Sequence, residues 1–115
     1  MRFVLICVVS ALAPIGTALG WAADTIPTSG GPVEITPIEH ASFTLAAGNK
    51  LIYVDPSPAD LFQDKSKADL ILITDIHGDH MDPDAVKNLS QPGTEVIAPA
   101  AVAKTIHSAK VVRNG

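Results

Sequence analysis

The sequence predicts an α/β domain in which helices layer against a largely buried sheet. Three observations predict it: alternating apolar residues from position 33, a continuous apolar run at 70–73, and strand–helix–strand alternation after that run. A short apolar run with β-branched residues is typical of a strand buried on both faces of a sheet. With 115 residues, of which 47% are hydrophobic and 17% charged, the chain suits one small domain and not a charge-rich disordered segment.

Residues 1–22 have the pattern of a secretory signal peptide. Arg2 gives a basic start, an apolar stretch follows over Phe3–Leu12, and small residues near position 20 offer a cleavage site. Pro14 and Gly16 interrupt the apolar stretch well short of the roughly 20 residues that a membrane span needs. We therefore expect an exported chain, periplasmic or secreted, with no stable membrane anchor after cleavage.

Composition excludes several classes of function. The formal net charge of −4 and the sequence pI of about 5.3 give nucleic-acid binding no electrostatic support. The single cysteine, Cys7, lies inside the signal segment, so neither an internal disulfide framework nor a cysteine-rich zinc finger is expected. The chemistry is therefore expected to depend on the four histidines and their acidic neighbours.

The first half of the folded part predicts strands joined by tight turns. Residues 23–32 are turn formers and predict a flexible leader ahead of it. The three predicted strands are Val33–Ile38, Ser42–Ala46 and Leu51–Val54. Ala47–Lys50 predicts the turn of a hairpin, and the polar stretch Asp60–Lys67 predicts a short helix or a loop.

After the apolar run at 70–73, the chain alternates between helix and strand. Asp82–Leu89 predicts a helix, with Asp82 as its N-cap and Pro83 at the first helical position. The remaining predicted elements are a buried strand at Glu95–Ala98, an alanine-rich helix at Pro99–Ala109 and a strand beginning at Val111. Such alternation is typical of a sheet layered with helices.

A dense polar cluster follows the apolar run. Five potential metal ligands fall within eight residues: Asp75, His77, Asp79, His80 and Asp82. Imidazole and carboxylate together suit zinc, manganese or iron. Gly78 allows a tight loop, and ligands of open α/β sheets bind beyond the carboxyl ends of strands. The alternative is a polar loop that solvates itself, but the interleaving of histidines with carboxylates favours a metal site.

These residues carry a resemblance to a known family. His77-Gly78-Asp79-His80 resembles the core of the His-x-His-x-Asp-His motif of the metallo-β-lactamase superfamily. The strand that ends at Asp55, ahead of the buried strand that leads into the motif, also matches the order of the superfamily, and His40-Ala41-Ser42 resembles a segment of its branch of L-ascorbate-6-phosphate lactonase-like, metal-dependent hydrolases. The resemblance covers residues 33–115. It implies an αββα sandwich with one or two metal ions, usually zinc and sometimes manganese or iron.

The resemblance also implies roles for the residues of the motif. His77 would bind a first metal ion, and Asp79 with His80 would bind a second. Asp79 is the expected catalytic residue, because a ligand at this position also orients the attacking water. Asp75 stands where the family has the first histidine of the motif, so it would either ligate through its carboxylate or orient an imidazole. A carboxylate here also admits a harder metal such as manganese.

Three residues outside the motif complete the predictions for the site. His40 is expected either to reach the cleft as a substrate or metal contact, or to be an ordinary loop histidine. Asp55 is expected to hydrogen-bond the loop that carries the motif rather than to ligate. His107, the one histidine downstream of the motif, is expected to be a surface or structural residue.

The family's remaining ligands come from a C-terminal half, whereas the sequence stops at Gly115 where a strand should continue. We therefore expect the N-terminal half of the domain, inactive alone, with a complementing C-terminal half as a partner. The implied chemistry is hydrolysis of a small lactone, ester, amide or phosphoester by hydroxide, which a metal generates by lowering the pKa of its bound water to about 7. The alternative is an exported, non-catalytic metal-binding or other binding module.

Overall fold

A computed structural model describes residues 22–113. Within them, seven strands form one sheet, accompanied by one α-helix, α1, at Pro83–Leu89 and two 3₁₀ turns at Ala59–Phe62 and Val102–Lys104. The strands are β1 Asp24–Ile26, β2 Val33–Glu39, β3 Ser42–Ala47, β4 Lys50–Val54, β5 Leu70–Leu72, β6 Glu95–Ala98 and β7 Lys110–Val111. The predicted signal peptide lies outside the described residues apart from Ala22. Within the described range, no helix is long and apolar enough to cross a membrane.

The strands lie in the sheet in the order of the chain, and the pairing changes at β4. Neighbours from β1 to β4 are antiparallel, and neighbours from β4 to β7 are parallel. Parallel neighbours need a crossover connection, and the first 3₁₀ turn and α1 lie in the crossovers on either side of β5. The carboxyl ends of β4, β5 and β6 therefore share one edge of the sheet.

The hairpin between β3 and β4 has the predicted turn. Ala47 pairs with Lys50 across it, and Gly48 takes a φ of +60°. Glycine adopts this left-handed conformation without the steric penalty that a Cβ would bring. The local turn signal was therefore sufficient to predict this hairpin.

Part of the segment predicted as a flexible leader is a strand instead. Asp24–Ile26 pairs antiparallel with residues 33–35 of β2, and the backbone N–H of Gly31 donates to the carbonyl of Thr28 at 3.1 Å. The turn formers that suggested a leader close this hairpin. Thr25 and Ile26 have the β-branched side chains that strands favour.

The predicted helix at Pro99–Ala109 is wrong, because only the 3₁₀ turn Val102–Lys104 forms there. No side chain caps the start of this turn. The first turn of a helix is costly in free energy, and here no capping hydrogen bond to the backbone N–H groups would offset that cost. Val102 and Ile106 are both buried and tie the segment to the core as a loop. Alanine content alone therefore overstated the helical preference.

The core lies on the sheet face that α1 covers. Side chains of adjacent strands meet the buried face of α1 there, and the main contributors are Tyr53, Phe62, Ile71, Ala85, Val86, Leu89, Val96 and Val102. Asp82 caps α1 as predicted, since its Oδ1 accepts from the backbone N–H groups of Asp84 and Ala85. Its Oδ2 also accepts from the N–H of Ala59 at 2.9 Å, which ties the helix to the first 3₁₀ turn.

The opposite face of the sheet, here called the open face, is also apolar. Side chains alternate along each strand, so the partners in register form apolar rows across this face. The rows contain Ile35, Phe43, Leu45, Ile52, Val54, Leu70, Leu72 and Ile97. None of them belongs to the core cluster, and all but Val54 remain partly exposed. Helical cover on one face confirms the predicted α/β class.

Asp69 links the first strands of the parallel part of the sheet and predicts a pH dependence of stability. Its Oδ2 accepts from the backbone N–H of Leu51 at 2.9 Å, and its Oδ1 lies 3.2 Å from Nζ of Lys50. The N–H of Leu51, followed by Lys50, holds the pKa of Asp69 below its ordinary value of 3.8. A lowered folded-state pKa stabilises the fold above the unfolded-state pKa, and this contribution is lost as the pH falls through the folded-state value.

We therefore expect the free energy of unfolding to fall below about pH 4, and the Asp69→Asn variant to show a shallower fall. Urea unfolding followed by circular dichroism at pH 7 and pH 3 measures both. Asp64→Asn is the matched control, because Asp64 is an exposed carboxylate. Equal pH dependence in wild type and Asp69→Asn would contradict this role for Asp69.

Candidate metal centre

The segment 74–82, here called the metal loop, connects β5 to α1 at the carboxyl edge of the sheet. Near its middle, the backbone N–H groups of His80 and Met81 donate to the carbonyl of His77 at 2.9 and 3.0 Å. The chain therefore turns at Gly78, in the position that the sequence predicted for a tight turn. Asp82, one of the five potential ligands, is occupied as the cap of α1.

Asp55 anchors the metal loop from the end of β4. It is buried, and its carboxylate accepts from the backbone N–H and the hydroxyl of Thr74, both at 2.6 Å. Its Oδ2 also lies 2.9 Å from Nδ1 of His80. The predicted hydrogen bond from Asp55 to the loop is therefore present, and the structure adds its partners.

His80 is oriented by this carboxylate. The hydrogen bond with Asp55 raises the pKa of His80 above its ordinary value, since it stabilises the protonated imidazole. Because a buried acceptor engages Nδ1, the neutral ring carries its proton there and Nε2 keeps a lone pair. Nε2 lies 3.8 Å from Oδ2 of Asp79, and both side chains are partly open to solvent.

Asp75 and His77 form a second pair on the same loop. Nδ1 of His77 lies 2.9 Å from Oδ1 of Asp75. The hydrogen bond from His77, followed by the backbone N–H of Ile76, lowers the pKa of Asp75. This is the contact that an orienting role for Asp75 requires, and it leaves Nε2 of His77 unengaged by that pair.

The structure brings the predicted site residues together only in part. Nowhere in residues 22–113 do three or more histidine, cysteine, aspartate or glutamate side chains form a group that could hold a metal ion. His40 lies in the turn between β2 and β3, with a φ of +46°, and its Nε2 is 3.6 Å from Glu39. Its side chain is 70% exposed. His107 is exposed, which agrees with a surface residue.

Two buried serines support the metal loop and were not assigned a role from the sequence. Ser57 donates through its hydroxyl to the carbonyl of Gly78 at 2.5 Å, and its backbone N–H donates to Oγ of Ser42 at 3.2 Å. Ser42 is part of the segment that carries the family resemblance. The signal that could have identified both is a serine beside a strand end in an otherwise apolar environment.

The donor types suit a divalent transition metal. His77, Asp79 and His80 offer imidazole and carboxylate groups on one exposed loop, and each imidazole has an aspartate at Nδ1. Such aspartates are the usual partners of histidines that ligate metals through Nε2. Their donor types fit part of a metal site, but within residues 22–113 they form no group of three that could hold an ion.

The chain is similar to a solved structure and to two curated proteins. The crystal structure of a "putative metal-dependent hydrolase" from Parabacteroides distasonis matches with a TM-score of 0.77 at 38% identity, over 83% of this chain and 44% of that chain. A cytidine monophosphate-N-acetylneuraminic acid hydroxylase of Xenopus laevis is 30% identical over 104 residues, which cover 74% of this chain and 17% of that protein. The hydroxylase of the same name from Asterias rubens is 29% identical over 89 residues, with coverages of 64% and 14%.

The chain spans less than half of the solved neighbour and about a sixth of these curated relatives. A model of the β-lactamase superfamily domain matches residues 34–115, a range that contains the metal loop and the strands from β3 onward. The chain therefore belongs to the β-lactamase superfamily and has a metallo-β-lactamase-like fold.

Proposed function

We propose that the chain contributes a metal-binding half-site to a metal-dependent hydrolase. The observation that carries the proposal is the contact between buried Asp55 and Nδ1 of His80, 2.9 Å apart at the carboxyl edge of the sheet. A histidine that ligates a metal usually donates from its other ring nitrogen to a carboxylate, which fixes the orientation of the ring. A polar loop exposed to water would not require a buried carboxylate to orient its histidine.

His77, Asp79 and His80 would hold the metal, which is zinc in the first instance, with manganese or iron as alternatives. One or two ions fit the proposal. When bound, such an ion supplies Lewis acidity for the attack of water on a carbonyl or phosphoryl group. The proposed substrates are small lactones, esters, amides or phosphoesters.

The residues of this chain have distinct tasks in the proposal. Asp55 keeps the proton of His80 on Nδ1, so that Nε2 faces the site. Asp75 does the same for His77 through its 2.9 Å contact, and its role is then to orient rather than to ligate. Asp79 is the proposed catalytic residue, because its half-exposed carboxylate can orient a water while it contacts the bound ion.

The proposed partner is a further unit of the same domain, packed on the open face. This face presents apolar rows that the described elements leave partly exposed, and the match covers only 44% of the solved neighbour. A second layer would bury these rows and could bring the ligands that residues 22–113 lack. We also propose export, on the strength of the sequence pattern in residues 1–22.

Metal content tests the proposal directly. Because the described donors form no group of three, we expect zinc or manganese to bind the purified 115-residue chain weakly but measurably, by equilibrium dialysis followed by elemental analysis, and we expect that binding to be lost in Asp79→Ala. Asp64→Ala is the matched control, since it removes an exposed carboxylate outside the loop and should retain the metal. A metal-free wild type, or equal metal in Asp79→Ala, would refute the half-site.

Hydrolysis of a lactone and ester panel tests the need for a partner. The isolated chain should show no more activity than His77→Ala, because its described donors form no group of three. Activity that His77→Ala abolishes would show that the chain needs no complementing unit. Metal binding that never supports hydrolysis, even beside a complementing unit, would favour the non-catalytic binding module.

A further inference from the structure

We propose that Ser57 is a positioning residue for the metal loop, whose hydroxyl holds the Gly78 peptide group in place before any metal binds. This inference rests on the proposed function, because the metal loop is the site named there. The hydroxyl of Ser57 donates to the carbonyl oxygen of Gly78 at 2.5 Å, across 21 residues of sequence.

The contact lies between two of the proposed metal ligands in the sequence. Gly78 lies between His77 and Asp79, and its carbonyl belongs to the peptide group that leads into Asp79, so the contact restrains the backbone between these two side chains. A Cβ built at Gly78 would meet nothing within 4 Å. Packing around Gly78 therefore does not hold the loop there, and the hydrogen bond from Ser57 restrains it in addition to the turn's own hydrogen bonds to His77.

Ser57 is itself held rigidly. It is only 5% exposed, its backbone N–H donates to Oγ of Ser42 at 3.2 Å, and Oγ of Ser42 donates back to the carbonyl of Ser57 at 2.9 Å. The carbonyl of Asp55 also lies within hydrogen-bond distance of Oγ of Ser42, so the single hydroxyl hydrogen is shared between the two carbonyls. The three buried polar residues of the described chain, Ser42, Asp55 and Ser57, thus form one unit beneath the metal loop.

This unit contacts the metal loop at the Gly78 turn and on both sides of it. Asp55 holds Thr74 and His80, and Ser57 holds Gly78. Asp55 takes a φ of +46°, which is uncommon and strained for a residue other than glycine. Such a backbone conformation persists where the surrounding contacts hold it in place. At Asp55 it points the carboxylate towards the metal loop.

The contact restrains the loop more than it stabilises the whole domain. Gly78 is exposed, so its carbonyl can accept from water when Ser57 is removed. Removal should therefore loosen the loop without leaving a buried acceptor unpaired. This distinguishes a positioning role from a purely structural one.

Amide hydrogen exchange on the metal-free full chain tests the proposal. The amides of His80 and Met81, which donate to His77, report on the turn. In Ser57→Ala, we expect them to exchange about fivefold faster, the change that loss of one ordinary hydrogen bond produces. Ser57→Thr retains a hydroxyl and should restore the wild-type rates.

Ser90→Ala is the matched control. It removes a hydroxyl that donates to the carbonyl of Val86 at 2.7 Å, at the end of α1 and away from the turn. It should leave the exchange of the loop unchanged. Unaltered loop exchange in Ser57→Ala, or equal acceleration in Ser90→Ala, would overturn the proposal. If Ser57→Ala does not fold, Ser57→Cys replaces it, because a thiol of similar shape is a weaker donor and should still accelerate exchange.

Zinc titration gives a second measurement. We expect Ser57→Ala to bind zinc several-fold more weakly than wild type, and Ser57→Thr to recover the affinity. A wild type that binds no zinc would refute the proposed function alone, because the exchange experiment requires no metal. Equal zinc affinity in wild type and Ser57→Ala would show that the restraint has no bearing on the site.

Discussion

Asp55→Asn is expected to lower zinc affinity by about 10- to 100-fold while the chain remains folded. Asparagine has the shape of aspartate, and its amide oxygen can still accept from the N–H of Thr74. Its NH₂ group then faces Nδ1 of His80, where the carboxylate oxygen was 2.9 Å away. Nδ1 must accept that hydrogen bond, so the ring proton moves to Nε2 and removes the lone pair that a metal would use.

Two measurements check this result. Chelator competition gives the zinc affinity, and the ¹⁵N shifts of the imidazole report which nitrogen of His80 carries the proton. Asp69→Asn is the matched control, because Asp69 is also hydrogen-bonded to a backbone N–H but lies at the opposite ends of the strands. Zinc affinity within about twofold of wild type, or a proton that stays on Nδ1, would rule out the orienting role of Asp55.

Phe62→Ala is expected to cost about 3–5 kcal/mol of the free energy of unfolding. Phe62 is fully buried between α1 and the sheet, and its ring meets that of Tyr53 edge to face, with centroids 5.9 Å apart and planes at 75°. Truncation removes this contact and leaves a cavity that a packed core fills only in part. A small domain has only about 5–15 kcal/mol in total, so a large share of its stability would be lost.

Phe43→Ala provides the comparison, because it makes the same change on the open face. Phe43 is only partly buried and lies outside the core cluster, so a clearly smaller loss is expected. Urea unfolding followed by circular dichroism measures both variants. Equal losses would mean that the open face is as well packed as the core, which contradicts the assignment of the two faces.

Local patterns were sufficient for most elements of the fold. The strands at 33–39, 42–47 and 50–54 followed from alternation and turn residues, and the helix at 83–89 followed from its N-cap and proline. These signals act between residues that are neighbours in sequence, so a single sequence contains them in full. The same reasoning failed at 99–109, where contacts of Val102 and Ile106 with the distant core outweighed alanine content.

The sequence likewise predicted some features of the candidate site and not others. The ligand types and their interleaving between 75 and 80 were evident in the sequence, because they lie on one continuous loop after an apolar strand. The pairing of Asp75 with His77 is also local, but its geometry depended on the conformation of the loop. Which side chains support the loop from other strands was largely not evident.

Sequence alone thus established the class of the fold, the place of the metal loop and the types of its donors. Tertiary structure established that Asp55 meets His80, that Ser57 meets Gly78, and that one sheet face remains open. These contacts join residues more than 20 positions apart. They exist because parallel pairing of β4 with β5 brings two strand ends to one edge, a long-range arrangement that no local periodicity encodes.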